Sequence, residues 1–242
     1  MKYKFTTKES YEYLSSGSIL YNAPGMSAFP VRLASEIAMR CFAILESKGV
    51  SAPYSLYDPC CGGGYLLTSI GFLHGVKLAK IIASDIDDNA LILAAKNLEL
   101  LNKDNLNKRI DELKNLATNY NKLSHKMAIE NSTKLLELIN NKNHLITTDC
   151  FKSDVTEISN HKFAADIIIT DFPYGDLTVW QSKHSNVIEA FFSNIKNYMR
   201  PNLSVVAVIT GNTQKLNVQN FTRIERFKIG KRQISFFTLN SK

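Results

Sequence analysis

Ten residues constrain this chain more than any others: Tyr57-Asp58-Pro59-Cys60-Cys61-Gly62-Gly63-Gly64-Tyr65-Leu66. An apolar stretch with Tyr54, Leu56 and Tyr57 runs into Asp58, three glycines follow, and Leu66, Leu67, Ile70 and Leu73 then recur at helical spacing. The pattern predicts a strand that ends in a carboxylate and turns sharply into a helix. Glycine at such a turn tolerates positive φ and leaves room for a ligand against backbone N–H groups and the helix N-terminus. A nucleotide-type cofactor site is the expectation.

The kind of cofactor is narrowed by what is missing. A dinucleotide fingerprint beginning at Gly62 needs glycine at position 67, where this chain has Leu67. Downstream, residues 79 to 84 read as a second strand that ends at Asp85 and is followed by a helix with Leu91, Ala94, Leu98 and Leu101 on one face. A carboxylate at that strand end can accept hydrogen bonds from both hydroxyls of a ribose. Leu145-Ile146-Thr147-Thr148 predicts a third strand ending at Asp149, and residues 165 to 170 a fourth ending at Asp171.

The fourth strand end continues as Asp171-Phe172-Pro173-Tyr174-Gly175. Together with the glycine turn it resembles the class I S-adenosylmethionine-dependent methyltransferases of the amino-methyltransferase type, whose signature after the fourth strand is Asn/Asp/Ser, a variable residue, Pro, then Tyr/Phe. Phe172 departs from that pattern, which often has a smaller or aliphatic residue there. More narrowly, Asp58 to Thr68, Ala23-Pro24-Gly25, Ala28 to Ala34 and Thr170 to Gly175 are similar to the AviRa-type avilamycin-resistance rRNA methyltransferases, and the similarity runs through most of the chain. The resemblance implies an α/β, Rossmann-like fold with a mostly parallel seven-stranded sheet and a C-terminal antiparallel hairpin. It implies S-adenosyl-L-methionine as cofactor, held by Asp58, Cys60, Gly62, Gly64, Asp85, Asp149 and Asp171, with Asp149 near the adenine amino group. It also implies a guanine base of 23S rRNA, alone or in the large ribosomal subunit, as substrate, and resistance to orthosomycin antibiotics. Asp171, Pro173 and Tyr174 are the expected catalytic set: Asp171 takes or orients the guanine proton, Tyr174 stacks on the base, and Pro173 fixes the backbone between them. Trp180, in the loop that follows, is expected either near a bound base or packed at the edge of the core.

At 242 residues one domain, 1–242, is expected, with an N-terminal helical extension over 1–50 and a helical insertion over about 103–142. The helix after Pro30 carries Ala34, Ile37, Ala38, Cys41, Ile44 and Leu45 on one face, with Arg32 and Glu36 off that stripe. In the insertion Leu106, Ile110, Leu113, Ala117 and Tyr120 follow helical spacing, and Lys108, Arg109, Lys114, Lys122 and Lys126 are available to a nucleic acid. A fifth strand over residues 203–209 precedes a hairpin around Gly230-Lys231-Arg232.

The formal net charge is +7, unevenly spread. Residues 214 to 242 carry seven basic side chains against one acid, and residues 103 to 142 carry eight against five, whereas residues 51 to 102 and 143 to 213 are net acidic. A basic periphery around an acidic centre suits a polyanion held beside a reaction site lined with carboxylates. The four cysteines form no Cys-x-x-Cys pair and the five histidines are scattered, so no metal site is expected. With no apolar leader and no run long enough to span a membrane, a cytoplasmic monomer is expected. Two other classes stay open on the sequence alone: a methyltransferase of another acceptor, such as DNA adenine or a protein amine, and a non-catalytic RNA-binding relative.

Overall fold

The computed structural model describes residues 3–15, 17–141, 144–172, 186–214, 216 and 218–241. Its sheet is built from β1 (Tyr54–Asp58), β2 (Leu78–Asp85), β3 (Thr147–Lys152), β4 (Ile167–Asp171), β5 (Val205–Gly211), β6 (Phe221–Ile229) and β7 (Arg232–Leu239), in the order β3-β2-β1-β4-β5-β7-β6. Five strands are parallel, and β7 runs antiparallel to both β5 and β6. The central strands β1, β4 and β5 are buried almost throughout, which is why they read as apolar runs rather than as alternation. Strand order reverses between β1 and β4, and the crevice outside the carboxyl ends of those strands is where ligands of open α/β sheets bind.

The helices are α1 (Val31–Ser47), α2 (Tyr65–His74), α3 (Asp88–Glu99), α4 (Lys103–Tyr120), α5 (Leu123–Asn140) and α6 (Val187–Ile195). One apolar cluster lies between the sheet and α1 to α3; a second, rich in aromatic residues, lies on the other face with α6. After α3, the connection between β2 and β3 continues as an antiparallel pair, α4 and α5, started by Asn102, whose side chain accepts from the N–H groups of Asp104 and Asn105, and turned by Asn121 at φ 45°. Leu106, Ile110 and Leu113 of α4 and Ala128, Leu135 and Ile139 of α5 are buried.

Two positions depart from the sequence reading. Glu36 lies off the apolar stripe of α1 but is fully buried. Its Oε1 accepts from the N–H of Lys4 at 2.7 Å and its Oε2 from those of Phe5 and Thr6 at 2.9 and 3.0 Å, so it lashes the N-terminal segment to α1. Arg40, one turn on, donates to the same carboxylate at 2.7 Å, also pairs with Glu225 of β6, and lies over the Phe227 ring. Burial alone would raise the Glu36 pKa, but these donors outweigh it and hold the pKa below the ordinary value. Strand β3 is the second departure. It begins at Thr147, not Leu145, which is 79% exposed, and continues to Lys152.

Candidate active site

Asp58, Asp85 and Asp171 end β1, β2 and β4 and meet at the carboxyl edge of the sheet. Asp58 is buried, and its Oδ1 accepts from the Cys60 N–H at 3.0 Å. Burial pushes its pKa up to about 8, with the charges of Asp85 and Asp171 adding to the rise. A carboxyl in that state is poised to meet a cation, because a positive group would relieve both the desolvation and the repulsion. Asp85 shapes the turn: its Oδ2 accepts from the Gly62 N–H at 2.8 Å and its Oδ1 from the Asp87 N–H at 3.0 Å. A carboxylate offers about four acceptor directions, so capacity remains for the hydroxyls of a sugar.

The glycines of the turn have different roles. Gly64 caps α2 at φ 74°, and a Cβ there would lie 3.0 Å from the Ala94 Cα, so a side chain would be strained by the positive φ and would need the α3 backbone to give by a few tenths of an ångström. Gly62 is at φ 52°, yet a Cβ on it would meet nothing within 4 Å. The space above Gly62 is open, and its floor is made of backbone and carboxylate. That combination fits the sugar and amino-acid portions of a cofactor such as S-adenosylmethionine. From the side, Asn97 donates to the Gly63 carbonyl at 2.9 Å, while the Tyr65 hydroxyl shares its one proton between the Asn22 Oδ1 at 2.7 Å and the Tyr21 carbonyl at 3.1 Å, tying the turn to the N-terminal segment. Cys60 is half-buried beside Asp58, and burial together with that charge raises its thiol pKa well above the usual range, so it acts as a neutral small residue and not a nucleophile. Among the described residues no group of His, Cys, Asp and Glu is arranged to hold a metal ion.

The expected site residues Asp58, Cys60, Gly62, Gly64, Asp85 and Asp171 are thus brought together, whereas Asp149 is not. It pairs with Ile82 in the middle of β3, three residues before the level of Asp85, and its exposed carboxylate faces Lys80 at 3.6 Å. Its side chain therefore lies on the exposed flank of the edge strand, apart from the carboxylate cluster. Asp154, just past the end of β3, is the carboxylate that approaches the cluster: its charge acts on the Cys60 thiol, and its Oδ1 accepts from the Thr156 N–H and hydroxyl at 2.8 and 2.6 Å. Its sequence signal was the Asp154-Val155-Thr156 turn. Phe172 is buried edge-on against Phe191, with ring centroids 4.6 Å apart, which accounts for a bulky residue at that position: its side chain joins the core behind the strand end. Pro173, Tyr174 and Trp180 lie outside the described residues.

The family model for the rRNA methyltransferase AviRa matches residues 1–232. The chain belongs to the AviRa family of rRNA methyltransferases. It is therefore an enzyme, and the seven-stranded sheet with its terminal hairpin is the class I methyltransferase fold. It is 36% identical over 225 residues, covering 90% of this chain and 88% of the relative, to the 23S rRNA (guanine(2535)-N(1))-methyltransferase of Streptomyces viridochromogenes. It is also similar to a solved structure of the rRNA methyltransferase AviRa from that organism, with a TM-score of 0.83, 33% identity, and coverage of 95% of this chain and 93% of that one. A putative methyltransferase from Escherichia coli shares the fold at a TM-score of 0.51 and 11% identity, covering 89% of this chain and 90% of that one. No helix among the described residues is long and apolar enough to cross a membrane.

Proposed function

We propose that this AviRa-family enzyme transfers a methyl group from S-adenosylmethionine to N1 of a guanine in 23S rRNA. The observation that carries the cofactor side is the open space above Gly62, floored by Asp85 and flanked by Asp58. Bound there, S-adenosylmethionine supplies an electrophilic methyl on sulfur. Asp85 would accept from the ribose hydroxyls, Asp58 would receive the cationic amino-acid end, the Gly62 and Gly64 backbone would border the cofactor with Cys60 beside it, and Asp154, which approaches the cluster, would meet the adenine amino group. The acceptor side rests on family membership and on Asp171 at the β4 end.

Guanine N1 carries a hydrogen and has no free in-plane lone pair for attack. As the N1–CH3 bond forms and the S–CH3 bond breaks, the N1 proton must leave, and the Asp171 carboxylate is the group placed to take or orient it. Pro173 and Tyr174 complete the acceptor side, with Tyr174 stacking on the base. A base within paired RNA is inaccessible, so the guanine is flipped or already unpaired. The basic residues of β6, Lys231 and Arg232 at the turn after it, and the α4–α5 pair hold the RNA backbone. The reaction takes place in the cytoplasm with 23S rRNA or the large subunit as partner, in a single methyltransferase domain; methylation removes the N1–H donor, a change that can exclude an orthosomycin antibiotic.

The test is tritium transfer from labelled S-adenosylmethionine to 23S rRNA, followed by nucleoside digestion. Label is expected in 1-methylguanosine, and Asp171→Asn is expected to slow turnover by roughly 10²- to 10⁴-fold while cofactor binding persists. Label on ribose, adenine, DNA or protein would overturn the assignment.

A further inference from the structure

The α4–α5 pair ends in a tip that combines exposed apolar side chains with lysines. Tyr120 at the end of α4 and Leu123 and Met127 in the first turns of α5, either side of the Asn121 turn, are 65%, 71% and 49% exposed. Between Leu113 and Ile129 the chain carries Lys114, Lys122 and Lys126 and no carboxylate. The acids of the two helices lie nearer the base, where Asp111 and Glu112 precede this stretch and Glu130 follows it. Among the described residues no hydrogen bond or ion pair engages the Lys122 or Lys126 ammonium.

The position of the tip gives the patch its meaning. Helix α4 starts beyond the end of α3 and runs back past the cofactor turn, where the Arg109 Nε donates to the Ile19 carbonyl at 3.1 Å and the Tyr21 hydroxyl donates to Glu112 at 3.2 Å. Tyr21 is the residue that Asn97 and Tyr65 bind beside Gly63 and Gly64. Tyr120 lies eight residues beyond Glu112, about 12 Å of helix past that anchor at 1.5 Å per residue. A finger held at its waist by the cofactor turn therefore presents an aromatic ring, two apolar side chains and unneutralised lysines away from its base.

We infer that this tip is a second RNA-contact element that stacks an unpaired base of the substrate on Tyr120, while Lys122 and Lys126 meet the adjoining phosphates; the inference rests on the rRNA reading above. Base stacking uses an exposed, sequence-tolerant aromatic face, and phosphates require cations without competing carboxylates; the tip has both. A protein partner is disfavoured by the same charge pattern, since nothing acidic on the tip would meet the basic surfaces common on ribosomal proteins.

The test compares wild-type protein, Tyr120→Ala, Tyr120→Phe and the double reversal Lys122→Glu with Lys126→Glu. Three quantities are read: affinity for fluorescently labelled, protein-free 23S rRNA fragments by anisotropy, KM and kcat for methylation of the same RNA, and affinity for S-adenosylmethionine. Tyr120→Ala should weaken RNA binding and raise the RNA KM roughly tenfold, with kcat and cofactor affinity unchanged, and Tyr120→Phe should restore both. The double reversal should flatten the salt dependence of binding. Unchanged RNA affinity in Tyr120→Ala, equal losses in kcat and cofactor affinity, or a defect seen only on assembled subunits and not on naked RNA would overturn the inference. Absence of methyl transfer by the wild-type protein would count against the rRNA reading alone, because the anisotropy arm does not depend on catalysis.

Discussion

Glu36 and Asp58 are both carboxyl groups within the hydrophobic interior, yet the chain treats them in opposite ways. Glu36 receives three backbone N–H groups, the Thr6 hydroxyl and the Arg40 guanidinium, and its pKa is held below the ordinary value. Asp58 receives the Cys60 N–H, faces Asp85 and Asp171, and has its pKa pushed up to about 8 by burial and by those charges. The first arrangement is finished and serves the fold. The second lacks positive charge, which a cationic ligand would supply. Buried charge alone does not mark a site; the balance between donors and like charges does.

The largest expected effect is on the finished side. Glu36→Ala leaves Arg40 with Glu225 alone and frees the N-terminal segment, so the unfolding free energy in urea should fall by about 3–5 kcal/mol. A loss within about 0.5 kcal/mol would mean that the N-terminal lashing carries no stability.

The two glycines sharpen the same division. Gly64→Ala places a methyl against the Ala94 backbone at positive φ, and it should cost about 2–3 kcal/mol of stability, strain included. Gly62→Ala meets open space, so its stability cost should stay at the strain alone, about 1–2 kcal/mol, while S-adenosylmethionine binding suffers. If the two variants lost stability equally and bound the cofactor equally, the space above Gly62 would not be the cofactor's.

A smaller and more graded effect is the response to pH. Because the Asp58 pKa is raised to about 8 in the folded protein from an ordinary 3.8, the folded state keeps a proton that the unfolded chain loses. Cofactor-free stability should therefore decline as pH rises from about 4 to 8 and then level off. Glu36, with its pKa lowered, has the opposite sign: its contribution is present above the usual glutamate pKa and is lost as pH falls below it. Denaturation curves of wild type and Asp58→Asn between pH 5 and 8.5 should diverge, the variant gaining relative to wild type as pH rises. Parallel curves would remove Asp58 as an unfinished charge.

Much of this was legible in the chain because central strands announce themselves. Strands β1, β2, β4 and β5 are buried over most of their length, so apolar runs mark them, and a carboxylate at the end of such a run is conspicuous. Edge strands do not announce themselves: β3 is largely exposed, Leu145 and Ile146 ahead of it mimicked a strand, and the run reads as ending at Asp149 when the strand continues to Lys152. Glu36 was hidden for a different reason. Its partners Lys4, Phe5 and Thr6 lie thirty or more residues away, and their contribution is backbone N–H, which no side-chain pattern encodes. The resemblance to the AviRa family was carried by the glycine turn and the Asp171 segment, where chemistry restricts the choice of residue most tightly, together with Ala23-Pro24-Gly25 and Ala28 to Ala34.

The contrast between the two carboxylates is tested most directly by calorimetry of S-adenosylmethionine binding to wild type and Asp58→Asn at pH 7 in buffers of different ionisation heat, alongside the melting temperature of each cofactor-free protein. The cation should displace the Asp58 proton, giving net proton release in wild type and none in the variant. Asp58→Asn should bind the cofactor on the order of 10- to 100-fold more weakly, and its melting temperature should match or exceed that of wild type. A variant that binds the cofactor with wild-type affinity and proton balance, or that melts as early as Glu36→Ala, would contradict the account.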